Sequence, residues 1–216
     1  DLVAWREAGA NRYLLRFETS DPRLYAMIHP PGPGRDLSDR IAMLRRLREL
    51  GYEAGSGVMV GIPGQTYAML DLDMIGVGPY IPHPATPLSE NRPVDGVDRL
   101  VPMPAPDGGQ VPNTEAMTYK VVALTRLACP EGNIPSTTAL ATLNLARGRE
   151  LGLQRGANIV MPNLTPPEYR SLYEIYPAKA CISETGRECH LCMKARIRGI
   201  GRTPGAGPGG RKRTKL

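Results

Sequence analysis

The stretch GSGVMVG, residues 55–61, decides the fold. It is small and apolar without a break, whereas a strand with one wet face alternates polar and apolar residues. An unbroken run suits a strand covered on both faces, as parallel sheets require. DMIGVGPYI (73–81) reads the same way. RYLLRFE (12–18) and NIVMPN (158–163) are two further strand candidates, and NIPSTTALAT (133–142) is a short strand or strand end.

Helical patterns fall between these strands. In DLSDRIAMLRRLRELG (36–51), Leu37, Ile41, Leu44 and Leu47 form one apolar stripe, and Gly51 suits the C-terminal cap. NTEAMTYKVVALTRLACP (113–130) has Thr114 as a cap, Pro130 as a stop and a face of Met117, Val121, Leu124 and Ala128. RGRELGLQRGA (147–157) is a weaker helix. TPPEYRSLYEIYP (165–177) has a cap at Thr165, Pro166 at the first helical position and Glu168 completing a capping box.

Strands alternating with helices predict α/β architecture with a parallel sheet or barrel. About five β–α units fit, where an eight-unit barrel takes roughly 250 residues, so a little over half a barrel is expected. The chain opens at Asp1 inside what reads as a helix, DLVAWREAGA, as part of a longer protein would. The expected organisation is a partial barrel over residues 1–180, a cysteine segment over 181–200 and a basic Gly/Pro-rich tail over 201–216. A long Pro/Gly loop (85–112) interrupts the rhythm. The crossover after GIPGQT, residues 62–73, is short for a parallel connection.

Composition narrows the function classes. At 41% hydrophobic and 22% charged residues the chain reads as an ordinary globular protein. It has no apolar run of membrane-spanning length and no signal peptide. Four cysteines are too few for a disulfide scaffold, so free thiols in a reducing cytoplasm are expected. The net charge of +6 is concentrated at the end. Residues 201–216 carry five basic residues and no acid, and the rest is nearly neutral. That argues against a basic nucleic-acid face and for a solvated, disordered tail.

In β/α barrels the chemistry sits at the C-terminal ends of strands. Here those ends carry Arg16 and Glu18, then Gly61, Tyr80 and His83, then Thr137 and Thr138, then Met161 and Asn163. Together they suit a pocket for a polar, partly anionic ligand. The plainer alternatives are an Arg16–Glu18 ion pair and helix-capping threonines. Tyr169, Tyr173 and Tyr176 share a helical face, for core packing or to line that pocket. Cys181, Cys189 and Cys192 form a C-x7-C-x2-C pattern. By spacing it suits iron–sulfur or zinc, with three ligands where zinc usually takes four. Cys129 reads as a small buried hydrophobe.

RYLLRFETSDPRLY, GSGVMVGIPGQT, MIGVGPYIPHPATPL, ALTRLACPEGNIPSTTAL, GANIVMPNLTPPEYRSLYEIYP and the cysteine triplet together resemble the HydE family, the radical SAM maturases of iron-only hydrogenases. The resemblance runs over nearly the whole chain apart from the 85–112 loop and the tail. MVGIPGQT and YIPHP are shared with biotin synthase and methylornithine synthase. The cysteine triplet with NIPSTTAL and NIVMPNLTP is closer to the maturases.

The resemblance implies the C-terminal part of a radical SAM (β/α)8 barrel ending in an irregular cysteine segment. In that family an early C-x3-C-x2-C holds a 4Fe-4S cluster. The cluster reduces S-adenosylmethionine to methionine and a 5′-deoxyadenosyl radical. This chain lacks the motif, so by itself it is expected to be inactive. The resemblance assigns Glu18 and Arg40 to S-adenosylmethionine. It assigns Arg16, Met74, Thr137, Thr138, Met161, Tyr173 and Tyr176 to the substrate cavity, and Cys181, Cys189 and Cys192 to a peripheral auxiliary 2Fe-2S or similar cluster. The implied substrate is an iron–cysteine complex carrying carbon monoxide and cyanide, and the implied partners are the tyrosine-cleaving maturase and the scaffold GTPase maturase. Nucleic acid and membrane are not expected as partners. Another radical SAM enzyme of the methylornithine synthase kind is the nearest alternative. A metal-stabilised binding module with a partner-touching tail is the alternative from a different class.

Overall fold

The computed structural model describes residues 1–19, 21–31, 39–62, 73–84, 86, 111–173, 175, 177–207 and 209–211. Three parallel strands form its sheet in sequence order: β1 (Arg12–Leu14), β2 (Glu53–Val60) and β3 (Met74–Pro79). The parallel pairing continues beyond them as single bridges. Glu18 pairs with Val58, Asn133 with Met74, Ser136 with Val77 and Ile159 with Pro135. Strand after strand is thus added on one side, which is how a β/α barrel grows.

The helices are α1 (Leu2–Glu7), α2 (Pro22–Ile28), α3 (Arg40–Glu49), α4 (Glu115–Ala128), α5 (Thr138–Leu143), α6 (Gly148–Gln154), α7 (Pro167–Arg170) and α8 (Gly186–Gly199), with a 3-10 turn at Ser171–Tyr173. Among the described residues none is long and apolar enough to cross a membrane.

The core lies outside the sheet. Phe17, Tyr52 and Ala54 pack on Leu44 and Leu47 of α3. Val60, Val77 and Ile134 pack on Val122 of α4 and on Leu153 and Ala157 around α6. The register explains the sequence that looked uniformly apolar. Gly55 faces Met74, Gly57 faces Gly76 and Met59 faces Gly78 on one side, while Ser56, Val58, Ile75 and Val77 alternate onto the other. The outer face carries valines that bury against helices. The inner face is mostly glycine and leaves space.

Several helices differ from the sequence reading. In α3 the stripe is Leu44 and Leu47, capped by Asp39, and Gly51 takes a left-handed φ of 79° just past the end. Leu37 lies outside the described residues. Thr114 does cap α4, but the buried face is Thr118, Tyr119 and Val122, and Leu124 is 62% exposed. The 165–177 segment is helical only over four residues before the 3-10 turn, with no side-chain cap. Pro167 is the reason. It forces Pro166 into an extended conformation (ψ 139°) and delays the start by one residue. The cysteine segment is irregular only up to Thr185. Thr185 and Glu188 then form a reciprocal capping box that launches the fourteen residues of α8. The tail is not simply solvated. Asn133 Nδ2 donates to the Gly209 carbonyl (3.1 Å), and Arg211 pairs with buried Asp73 (3.4 Å) beneath the strands.

Candidate active site

A cavity of about 880 Å³ opens at the C-terminal ends of the strands. It gathers Arg16, Glu18, Thr137, Thr138, Met161 and Tyr173, which the sequence had placed in one pocket. The inner-face glycines make room for it. Gly57 and Gly76 lie face to face beneath the Arg16 guanidinium, and a Cβ on Gly57 would sit 2.7 Å from the Gly76 carbonyl. Gly78 lets the Thr137 hydroxyl approach in the same way.

Arg16 and Glu18 are paired. Arg16 Nε donates to Glu18 Oε1 (2.6 Å) and Nη2 to Oε2 (2.9 Å), while Nη2 also reaches the Val58 carbonyl (3.2 Å). The bidentate fork uses two of roughly four acceptor positions on the carboxylate. Glu18 can therefore still accept from a ligand hydroxyl or amine. Its φ of 65° is rare for a side-chain-bearing residue, and Cys181 on the cavity rim shares that value. Backbone strain of this kind clusters at functional sites.

Thr137 caps α5 through its hydroxyl oxygen, which accepts from the Leu140 amide (3.4 Å). The capping reading and the pocket reading both hold for it. Tyr173 borders the cavity with Lys179 Nζ 4.6 Å over its ring. Two residues assigned to the site do not border the cavity. Met74 starts β3 and faces inward, but at the opposite end, in a separate hollow of about 280 Å³. Six residues of strand put it roughly 16 Å from the cavity end. Arg40 stands behind the rim and donates to the Arg16 carbonyl (2.5 Å), steadying the strand end. Tyr176 lies outside the described residues.

The structure adds Arg149 of α6 and Cys181 to the cavity border, and the strand-end Tyr80 also lies there. The Tyr80 hydroxyl is buried and among the described residues has no hydrogen-bond partner, and burial pushes its phenol up from the usual value, so it keeps a proton that a ligand could accept. Replacing it with Phe should cost no stability, and should add about 1 kcal/mol by removing an unmet polar group. Turnover of the cavity's ligand should still fall several-fold. A Tyr80→Phe variant with a lower unfolding midpoint, or with unchanged turnover, would count against this role.

The cysteines were expected to be peripheral, yet Cys181 reaches the cavity rim. Burial pushes its thiol up, the Arg149 guanidinium pulls it down, and neighbouring Cys189 pushes it up again. Cys189 is buried and accepts from the Asn163 amide (3.2 Å). Cys192 is exposed and lies beside Arg196. Among the described residues no three Cys, His, Asp or Glu side chains converge as a metal site. The thiols suit iron–sulfur in kind: Cys181 lies beside Cys189, and Cys192 follows Cys189 by three residues on α8.

No family model matches the chain. It is 43% identical over 219 residues to the FeFe hydrogenase maturase subunit HydE of Thermotoga maritima, an alignment covering 97% of this chain and 56% of the maturase. The chain thus spans about half the length of the curated relative it matches. Among solved structures it is similar to methylornithine synthase, PylB, with a TM-score of 0.62 over 95% of this chain and 55% of that one, at 23% identity. That likeness establishes the fold alone: parallel β–α units arranged as in part of that structure.

Proposed function

We propose that this chain forms the substrate-binding part of a radical SAM maturase that acts on an iron–carbon monoxide–cyanide–cysteine precursor of the iron-only hydrogenase site. The observation that carries the reading is the cavity. The motif residues Arg16, Glu18, Thr137, Thr138, Met161 and Tyr173 come from four separate chain segments and meet at one strand-end opening. The 43% identity to a hydrogenase maturase supports it.

S-adenosylmethionine, cleaved at a 4Fe-4S cluster, would supply a 5′-deoxyadenosyl radical. The chain's own residues bind and orient. Glu18 accepts from amino or hydroxyl groups of the cofactor with the positions Arg16 leaves open, and Arg40 fixes the strand end that carries Glu18. Thr137 and Thr138 donate hydroxyls to the precursor, Met161 supplies a soft apolar wall, and Tyr173 with Lys179 closes the rim. Cys181, Cys189 and Cys192 would hold an auxiliary iron–sulfur cluster. The tyrosine-cleaving and scaffold GTPase maturases are the partners this role requires.

The test uses the full-length protein. Val at both Thr137 and Thr138 should leave 5′-deoxyadenosine formation intact and lower hydrogenase maturation at least tenfold, since about 1.4 kcal/mol of lost hydrogen bonding is a factor of ten. Thr137→Ser keeps the cap and the hydroxyl and should retain activity. Full maturation by the double Val variant would sink the substrate assignment.

A further inference from the structure

The two arginines that border the cavity are not equivalent. The Arg16 charge is met by Glu18 in a two-bond fork. Arg149 is only 5% exposed. Among the described residues no carboxylate pairs with it, and its side chain donates one long bond, from Nη2 to Cys181 Sγ at 3.6 Å. The adjacent carboxylate, Glu150, is engaged elsewhere, accepting from Arg196 at 2.7 Å.

A buried guanidinium with no carboxylate partner is expensive, because desolvation costs several kcal/mol per ion unless an opposite charge meets it. The backbone nevertheless holds Arg149 there firmly. Gly148 and Gly152 flank it on α6 and pack so closely that a Cβ on either would lie 2.3 Å from the Leu140 carbonyl or the Ser136 hydroxyl. The Arg149 carbonyl accepts from the Ser136 hydroxyl (3.0 Å). Side chains around the cavity supply three permanent cations, Arg16, Arg149 and Lys179, against the single carboxylate of Glu18.

We infer that Arg149 is the anion anchor of the cavity, and that it receives a carboxylate or similar small oxyanion of the ligand in place of the Cys181 thiol. A planar guanidinium forks onto a carboxylate with two parallel bonds, and a poorly solvated fork gains more from that than one already neutralised. Arg149 would do this for any ligand of that class, whatever reaction the cavity serves. Arg16 instead belongs to the wall that shapes the site.

The experiment measures binding of carbon-13-labelled acetate to the full-length protein by broadening of the carboxylate resonance. Arg149→Gln should weaken binding at least tenfold. Arg149→Lys, which keeps the charge but loses the fork, should bind more weakly than the parent and more tightly than Arg149→Gln. Cys181→Ala removes the competing partner and should bind acetate at least as tightly as the parent. Equal affinity in Arg149→Gln and the parent would overturn the assignment. If Arg149→Gln does not fold, the other two variants decide, because weaker binding in Cys181→Ala would mean that the thiol and not the guanidinium makes the site. Unchanged hydrogenase maturation alongside lost acetate binding would mean that the anchor does not serve the maturation substrate, while anion binding at Arg149 would stand.

Discussion

Arg170→Met should destabilise the full-length protein by roughly 3–5 kcal/mol, the range for breaking a buried charged network. Arg170 is 1% exposed and has no carboxylate partner among the described residues. Its guanidinium is met by backbone carbonyls: Thr165 (2.7 Å), Asn163 (3.0 Å), Cys181 (3.0 Å) and Ile182 (3.4 Å). Met fills similar volume and removes the buried charge, which recovers some desolvation cost. It also removes charge-assisted bonds to these part-buried carbonyls, worth about 1.5–3 kcal/mol each. Only the Cys181 carbonyl keeps a second donor, Asn163 Nδ2 at 3.2 Å.

The effect should spread to the cavity. Arg170 pins both ends of the loop that runs from Asn163 to Ile182, and Cys181 sits in that loop with its strained φ of 65°. Without the pin, Cys181 should relax out of the rim, and its alkylation should speed up about tenfold relative to exposed Cys192. A midpoint shift worth less than about 1 kcal/mol in urea unfolding would mean that the loop is held by other contacts.

How much of this was legible in the sequence depends on which physical signal each feature leaves. The parallel sheet was legible because burial on both faces suppresses alternation in GSGVMVG and MIGVGP. Strand ends were legible for the same reason, since the first polar residues after each run fall at the opening. Met74 was misplaced because resemblance fixes a residue's motif but not its height along the strand. Position in the six-residue run of β3 would have put it at the bottom.

Arg149 and Arg170 left no such signal. A buried arginine looks like a surface arginine in any reading that treats charge as exposure. What marked Arg149 was the pair of glycines four residues apart, Gly148 and Gly152, which cost a helix stability unless something packs against them. The start of α8 was fully written in Thr185-Gly-Arg-Glu188, but attention to the cysteines as ligands obscured the capping box beside them.

Gly57→Ala and Gly76→Ala should separate the fold's use of inner-face glycines from the cavity's use. The two residues face each other across β2 and β3, and both lie under Arg16. A Cβ on Gly57 meets the Gly76 carbonyl at 2.7 Å and the Gly76 Cα at 3.2 Å. Those are backbone atoms of a hydrogen-bonded neighbour, so relief requires the strands to part. The expected loss is about 2–3 kcal/mol, as for an overpacked core. A Cβ on Gly76 instead meets Arg16 Nη1 first, at 3.3 Å. That is the end of a side chain, which can move, so the stability cost should stay below about 1 kcal/mol. The movement is not free for function. Displacing the guanidinium by a few tenths of an ångström loosens its fork on Glu18 and narrows the cavity, so Gly76→Ala should lose activity out of proportion to its stability. Urea unfolding and hydrogenase maturation, measured on both variants, test this. Equal destabilisation by the two substitutions would mean that Arg16 is as fixed as backbone, and a fully active Gly76→Ala would mean that the Arg16–Glu18 fork does not shape the site.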